Sequence, residues 1–317
     1  MNYNLLFIFT IVAAVNAMIT RILLKNLNYF LMDRGVYGID VNKPGRIKIP
    51  EEGGLSITIS LVISFGLLLV FFSKSWLILM IATTFLISLI GFIDHFRNIK
   101  PYPKFVYCMI VGSIYSVHFL QNNSLPLVPT ILIILAIAIG YSVMVNAFNV
   151  LAGFNGLESG LAVISSTTLG IYYYFYNFHF EAGICFIVAV SFFVFWQLNK
   201  YPAKIFIGDS GSLVPASIYI GLAVVTRHWV PLLFVMAPHL INVFIKFLST
   251  GVSSRSDHLP LQYKDGLLHL PSSKNYFSLI RLYLLTGPKK EQQIVNFVFM
   301  IEIICCISLF IFTIGSK

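Results

Sequence analysis

The sequence predicts an all-α, polytopic membrane bundle of about ten transmembrane helices, and three observations predict it. The chain is 58% hydrophobic and only 10% charged, with a mean hydropathy of +0.86, a composition of integral membrane proteins rather than soluble domains. A spanning helix needs about 20 mainly apolar residues, and that window picks out roughly 3–25, 55–73, 75–93, 105–121, 128–146, 156–176, 181–198, 206–226, 229–249 and 294–315. The basic residues follow the same alternation. With 26–54, 94–104, 146–155, 199–205 and 250–293 on one side, and counting the adjoining helix ends (Arg21, Lys25 and Lys246) with them, 18 of the 21 Lys and Arg fall there, and only Lys74, Arg227 and Lys317 fall opposite. The positive-inside rule then puts both termini outside and the long loops in the cytoplasm. The net charge of +9 is spread over these loops rather than gathered in one run, so it carries no nucleic-acid signature.

Taken in order, the first apolar stretch lacks a basic segment ahead of it and is too long for a signal-peptide core, so it reads as an uncleaved first helix. The loop after it runs Gly38-Ile-Asp40-Val-Asn42-Lys43-Pro44-Gly-Arg46-Ile-Lys48-Ile-Pro50-Glu51-Glu52-Gly53-Gly54. Read alone it is a solvated, topogenic loop, although the glycine pair suggests a close backbone approach. The next inner loop, Gly91-Phe-Ile-Asp94-His95-Phe-Arg97-Asn98-Ile-Lys100-Pro-Tyr-Pro-Lys104, ends one span with an acid and starts the next with a lysine. Such a pair suits Mg²⁺ and phosphate respectively; interfacial anchoring charges are the competing reading. Asn122-Asn-Ser is a formal glycosylation sequon in a very short outer loop, close to the bilayer.

The most informative run is Asn146-Ala-Phe-Asn149-Val-Leu-Ala-Gly153-Phe-Asn155-Gly156-Leu-Glu158-Ser-Gly160, directly behind an apolar span. Polar side chains at that boundary are costly unless bonded, ligated or wetted. Asn146 and Asn149 lie one helical turn apart and can share a face, and a carboxamide oxygen is a legitimate ligand for a hard metal. Helix capping and interhelical bonding compete with that reading. Pro202-Ala-Lys204 and then Ile207-Gly208-Asp209-Ser210-Gly211-Ser212 repeat the pattern, with a carboxylate embedded in apolar sequence. Asp209 therefore demands a cation or a polar partner, with Lys204 as the structural candidate. His239 and Glu302 sit inside spans and read as interhelical hydrogen-bonding or snorkelling groups. Within the 251–292 loop, Tyr276–Leu285 is amphipathic and suits the membrane surface. Cys108, Cys185, Cys305 and Cys306 have no metal-ligand spacing and read as packing residues. With no soluble block above about 45 residues, 1–317 is one integral-membrane domain whose chemistry gathers on the inner loops.

These segments, in this order, resemble the polyprenyl-phosphate N-acetylhexosamine-1-phosphate transferases (glycosyltransferase family 4). The Asn146–Gly160 run and Gly38-x-Asp40-x-Asn42-Lys43 followed by Pro50-Glu51 resemble the eukaryotic and archaeal dolichyl-phosphate branch most; bacterial members carry Asp-Gly-x-Asp-Gly in place of the former. The resemblance covers about residues 35–275. It implies that Asn149 and Asp209 hold Mg²⁺, with Mn²⁺ able to substitute, and that Asp94, Lys104 and Asp209 are catalytic. It implies further that Glu51, Asn146, Asn155, Arg255 and His258 bind substrate, with Glu51 and Asn155 near the uridine and Lys104 near the pyrophosphate. Arg255 and His258 are the equivalents of a short Arg/His motif in Arg255-Ser-Asp257-His258-Leu-Pro260. His95 stands where the family has the second acid of an Asp-Asp pair, and an imidazole cannot replace that negative charge.

The implied activity is transfer of a sugar-1-phosphate, foremost GlcNAc-1-phosphate, from a UDP-N-acetylhexosamine to a polyprenyl or dolichyl phosphate. UMP is released, and the reaction is the first membrane step of a glycan or glycoprotein pathway. The implied partners are those two substrates and the lipid bilayer, in a plasma membrane or an endoplasmic reticulum, with a homodimer compatible. Two other classes compete. A catalytically silent homologue, acting as a lipid-binding or partner protein, is favoured by His95 and the altered final loop. A transporter would place its polar groups near the midplane, often within inverted repeats, whereas here they hug one face.

Overall fold

The computed structural model describes residues 3–121, 126–252, 260–271 and 277–315. Its long helices are α1 (Tyr3–Asp33), α2 (Gly54–Phe72), α3 (Trp76–Arg97), α4 (Pro101–Gln121), α5 (Leu127–Val150), α6 (Leu157–Phe175) and α7 (His179–Asn199). After them come the single turn α8 (Asp209–Ser212), α9 (Val214–Thr226), α10 (Val230–Val235), α11 (Ala237–Thr250), α12 (Leu279–Leu284) and α13 (Glu291–Gly315). Eight helices among the described residues are long and apolar enough to cross a membrane, counting α8 and α9 as one. The chain is a polytopic, all-α integral membrane protein.

Two of the ten expected windows fall outside those eight. Helix α6 forms over 157–175 as expected, but Glu158 and a run of Ser and Thr dilute its apolar character. The 229–249 window is broken at Met236 into α10 and α11, because Pro238 in the first turn of α11 cannot continue a helix backwards.

Helix α9 is the centre of the bundle: of its thirteen residues only Val225 is not buried, and it packs against α3, α4, α5 and α6. Helix α1 is peripheral, with Leu6, Phe7, Ile11, Met18 and Ile22 exposed, as suits a lipid-facing surface. Hydrogen bonds between small polar residues join the helices where apolar burial offers no net drive in lipid. Asn16 donates to the Ser64 hydroxyl (3.0 Å) and Thr20 to that of Ser60 (2.8 Å), tying α1 to α2. Ser165 donates to Glu302 (2.5 Å), tying α6 to α13 as the interhelical reading of Glu302 expects. The four cysteines are free.

Two short hairpins interrupt the helical pattern, β1 (Tyr37–Ile39) with β2 (Lys48–Pro50) and β3 (Gln262–Lys264) with β4 (Leu267–His269), both antiparallel. The first overturns the solvated-loop reading of 38–54: Asp40, Asn42, Lys43 and Glu52 are all buried. Phe206 N–H donates to Pro50 O (2.8 Å) and Gly54 N–H to Ile207 O (2.8 Å), so this segment is laced to the approach to α8. A Cβ on Gly54 would collide with the Gly211 backbone, which is the close approach that the glycine pair suggested. Helix α12 packs on α11 and α13 through the buried Ile280, Arg281 and Leu284, while Leu282 and Leu285 stay exposed, the two-faced pattern that its sequence predicts.

Candidate active site

The ends of α3, α5 and the α8 turn and the start of α4 meet at one end of the bundle. Helix α3 stops at Asn98, whose left-handed backbone (φ 45°) turns the chain while its N–H caps Asp94 O. Asp94 Oδ1 accepts from Ile99 N–H (2.6 Å), which fixes the carboxylate, and Pro101 opens α4 at once. Lys104, in the first turn of α4, therefore lies over Asp94: its ammonium donates to Asp94 Oδ2 (2.8 Å) and to Asp209 Oδ2 (2.5 Å). Gly91 makes the junction possible, since a Cβ there would overlap the Asp209 backbone. Asn149, one residue from the end of α5, donates to Asp209 Oδ1 (2.9 Å) and to the Ser212 hydroxyl (2.7 Å). The Asp209 side chain is one-third exposed, while those of Asp94 and Lys104 are 14% and 9% exposed, so the cluster opens through Asp209. Lys104, not Lys204, answers the charge of Asp209.

A second lysine-centred cluster lies beside it. Lys43 donates to Asp40 and to Asn155 Oδ1, with Glu291 Oε2 at 3.7 Å. Glu291 Oε1 accepts from Asn155 N–H (2.7 Å), and Asn155 Oδ1 also accepts from Ala203 N–H (2.7 Å). Asn155 is thus buried with its carboxamide turned into the protein. Nothing in the sequence near Glu291 signals its part; its partner is 136 residues away.

The third group comprises Glu51, Glu52 and His95. His95 Nδ1 lies 3.7 Å from Glu51 Oε2 and 3.5 Å from Glu52 Oε1. Glu52 is almost fully buried and accepts from Ser210 N–H (3.2 Å). Its pKa is raised to about 8, chiefly by burial and further by the charges of Asp209 and Glu51, against the pull of hydrogen bonding from Ser210.

Of the sequence-predicted residues, Asp94, Lys104, Asn149 and Asp209 come together. Asn146 lies a turn deeper, donating to Ser142 O (2.8 Å) at the seam of α4 and α5, where Ser142 bonds Phe105 O (2.7 Å). Glu51 joins the His95 group and Asn155 the Lys43 cluster; Arg255 and His258 lie outside the described residues. Sequence reasoning assigned no part to Glu52, Asp40, Lys43 or Glu291. The signal available for the first three was their crowding in one Gly/Pro-punctuated loop. A small cavity lined by Val150, Phe154, Asn242, Lys246 and Arg281 adjoins the Asn149 segment and brings two cationic residues to this end. A cavity of about 380 Å³ bounded by Trp76, His118 and Arg227 lies at the opposite end of α3, away from these clusters.

Residues 76–227, which hold Asp94, Lys104, Asn149 and Asp209, match the model of glycosyl transferase family 4. A Methanocaldococcus jannaschii protein named as a glycosyltransferase is 35% identical over 301 residues, covering 94% of this chain and 93% of its own length. The chain belongs to glycosyl transferase family 4. It is also similar to a Sulfolobus acidocaldarius protein named as a UDP-N-acetylglucosamine–dolichyl-phosphate N-acetylglucosaminephosphotransferase, with 27% identity over 88% of both chains. A phospho-N-acetylmuramoyl-pentapeptide-transferase of Staphylococcus saprophyticus is 28% identical over 59% of this chain and 65% of its own.

Proposed function

We propose that this protein transfers GlcNAc-1-phosphate from UDP-GlcNAc to a polyprenyl phosphate of the dolichyl type, releasing UMP. The observation that carries the reading is the convergence of Lys104, Asp94, Asp209 and Asn149 from four helical segments at one open end of the bundle. The names of the archaeal relatives support the donor and the acceptor.

In the proposed reaction an oxygen of the lipid phosphate attacks the phosphorus that bears the sugar. The P–O bond to the UMP phosphate breaks, and UMP leaves with the bond's electron pair. The attacking oxygen is already largely ionised near neutral pH, so a strong general base is not required. The main barrier is bringing one anion up to another, and the chain meets it by charge and position. The Lys104 ammonium is held between two carboxylates behind the exposed Asp209, where it would meet a phosphate bound there. Asp94, pinned through Ile99 N–H, keeps that ammonium in place. Lys246 and Arg281 add positive charge beside the Asn149 segment. The carboxylate of Asp209, and the carboxamide oxygen of Asn149 after half a turn of its amide, make an oxygen donor set suited to a hard dication. Mg²⁺, or Mn²⁺ in its place, held by Asp209 and Asn149 would supply charge neutralisation on the diphosphate.

The distribution of Lys and Arg supports a cytoplasmic site with both termini outside. The nucleotide sugar then arrives from the cytosol while the isoprenoid tail stays in lipid. An exchange assay tests the proposal: purified protein is given radiolabelled UMP, UDP-GlcNAc, polyprenyl phosphate and Mg²⁺. The expected result is label in UDP-GlcNAc that depends on the lipid phosphate. A folded protein that exchanges no label with any common UDP-N-acetylhexosamine, on dolichyl or undecaprenyl acceptors, would instead be a silent homologue.

A further inference from the structure

We propose that Glu51, Glu52 and His95 form a second divalent-cation site, one that prefers a first-row transition-metal ion such as Mn²⁺ or Zn²⁺ over Mg²⁺. One ligand atom from each residue lies within 4.8 Å of the other two. The imidazole nitrogen stands 3.5 Å from Glu52 Oε1 and 3.7 Å from Glu51 Oε2. A closed ion pair or hydrogen bond would bring such atoms to about 2.7–2.9 Å. Ligands about 2.1 Å from a tetrahedral ion lie about 3.4 Å from one another. The three groups are thus spaced around a point rather than drawn onto each other.

Burial and access both fit an ion. Glu52 is 1% exposed, and its charged form is costly that deep unless a cation compensates it. Ser210 N–H engages its Oε2, leaving Oε1 towards the imidazole. Gly208 leaves no room for a Cβ beside that carboxyl, so the anchor is fixed in place. The side chains of His95 and Glu51 are each about one-fifth exposed, so a hydrated ion can enter and keep waters on its open side. The residues come from the last turn of α3 and the link from β2 to α2; hydrogen bonds lace the link to the 206–210 segment, and α3 packs on it through Gly91.

The donor set decides the kind of ion. Two carboxylates alone suit Mg²⁺ or Ca²⁺, whereas an imidazole nitrogen beside them shifts preference to Mn²⁺, Zn²⁺ and their neighbours. His95 supplies the one nitrogen donor of the set, in place of the acid that the family resemblance leads one to expect. The inference stands apart from the transfer reaction, because it concerns binding of an ion in the absence of substrate.

The test uses the full chain in detergent with any affinity tag removed, stripped with chelator and titrated with Mn²⁺. Equilibrium dialysis gives the stoichiometry, and pulsed electron paramagnetic resonance reads the ¹⁴N coupling of a ligated imidazole. Wild type is expected to show that coupling, and it should persist in a hundredfold excess of Mg²⁺. His95→Ala and His95→Gln are expected to abolish it, with one fewer Mn²⁺ bound and an unchanged thermal midpoint. Glu52→Gln should weaken Mn²⁺ binding by at least the roughly tenfold that loss of an outer-shell partner costs. Asp209→Asn should keep the nitrogen coupling while losing the other ion. The proposal is overturned if wild type shows no nitrogen coupling, if the coupling survives His95→Ala, or if it vanishes in Asp209→Asn. None of these outcomes depends on turnover, so failure here leaves the transferase reading intact, and the converse holds.

Discussion

Two clusters at the same end of this molecule are built from the same parts. In each, a lysine stands between two carboxylates with an asparagine beside them: Lys104 with Asp94, Asp209 and Asn149, and Lys43 with Asp40, Glu291 and Asn155. They differ in where the remaining hydrogen-bonding capacity goes. Around Lys43, backbone N–H groups of Asn155 and Ala203 occupy further acceptors, Glu291 Oε2 keeps no hydrogen bond among the described residues, and every member is under 10% exposed. Around Lys104, Asp209 is held by side chains and stays one-third exposed. The first cluster is closed and joins α13 to the first hairpin and the Asn155 loop. The second is open and can exchange its internal partners for a ligand. Residue type does not separate chemistry from scaffolding here; access to solvent does.

The sharpest test of that contrast is Asp209→Asn. The open-cluster reading expects transfer to fall by about 10⁴-fold, roughly 5 kcal/mol of barrier, with the thermal midpoint within a few degrees of wild type. A collapse of the midpoint would place Asp209 with the scaffold. Lys43→Met probes the other side. Removing the cation leaves Asp40 and Glu291 buried without compensation, and breaking a buried pair in this way costs about 3–5 kcal/mol. Denaturant unfolding in mild detergent should register that loss, and Lys43→Met with Asp40→Asn should recover part of it. If Lys43→Met lost transfer at unchanged stability, the closed cluster would be a substrate site after all. Asn149→Ala is expected to cost less, about 10²-fold in exchange rate or close to 3 kcal/mol, because it removes the neutral member of the proposed metal-holding pair and leaves both carboxylates.

How much of this could be read beforehand follows the same divide. Asn149 and Asp209 were legible because a carboxamide or carboxylate in apolar sequence is expensive and needs a reason. Asp94 and Lys104 were legible because a short loop must bring them face to face. The Lys43 cluster was not, since its closure depends on Glu291 at the start of the last helix and on Ala203 N–H, and no local pattern links them to Asp40. Asn155 shows the hazard: it shares a motif with Asn149, yet six residues on, past Gly153 at φ 98°, its side chain enters a different network. The helical bundle followed from hydropathy almost everywhere. Where it did not, at Met236, the cause was Pro238, a signal that a hydropathy window averages away.

The smallest expected effect belongs to a residue in neither cluster. His239 in α11 is fully buried, stacked on Phe148 at 4.3 Å and 15°, and neither ring nitrogen has a hydrogen-bond partner among the described residues. The interhelical hydrogen bond expected of it is therefore absent there, and a ring stack takes its place. A buried, unbonded polar group costs about 1–3 kcal/mol, which His239→Phe would relieve while keeping the stack. The larger ring must fit a filled site, and overpacking costs a similar amount. The two should nearly cancel, giving a stability change within about 1 kcal/mol and transfer within about threefold of wild type. Thermal unfolding and the exchange assay on the same preparation read both. A tenfold fall in exchange at unchanged stability would mean that the imidazole, one residue's packing away from Asn149, meets a polar partner during turnover, and the open cluster would then extend through Phe148 to α11.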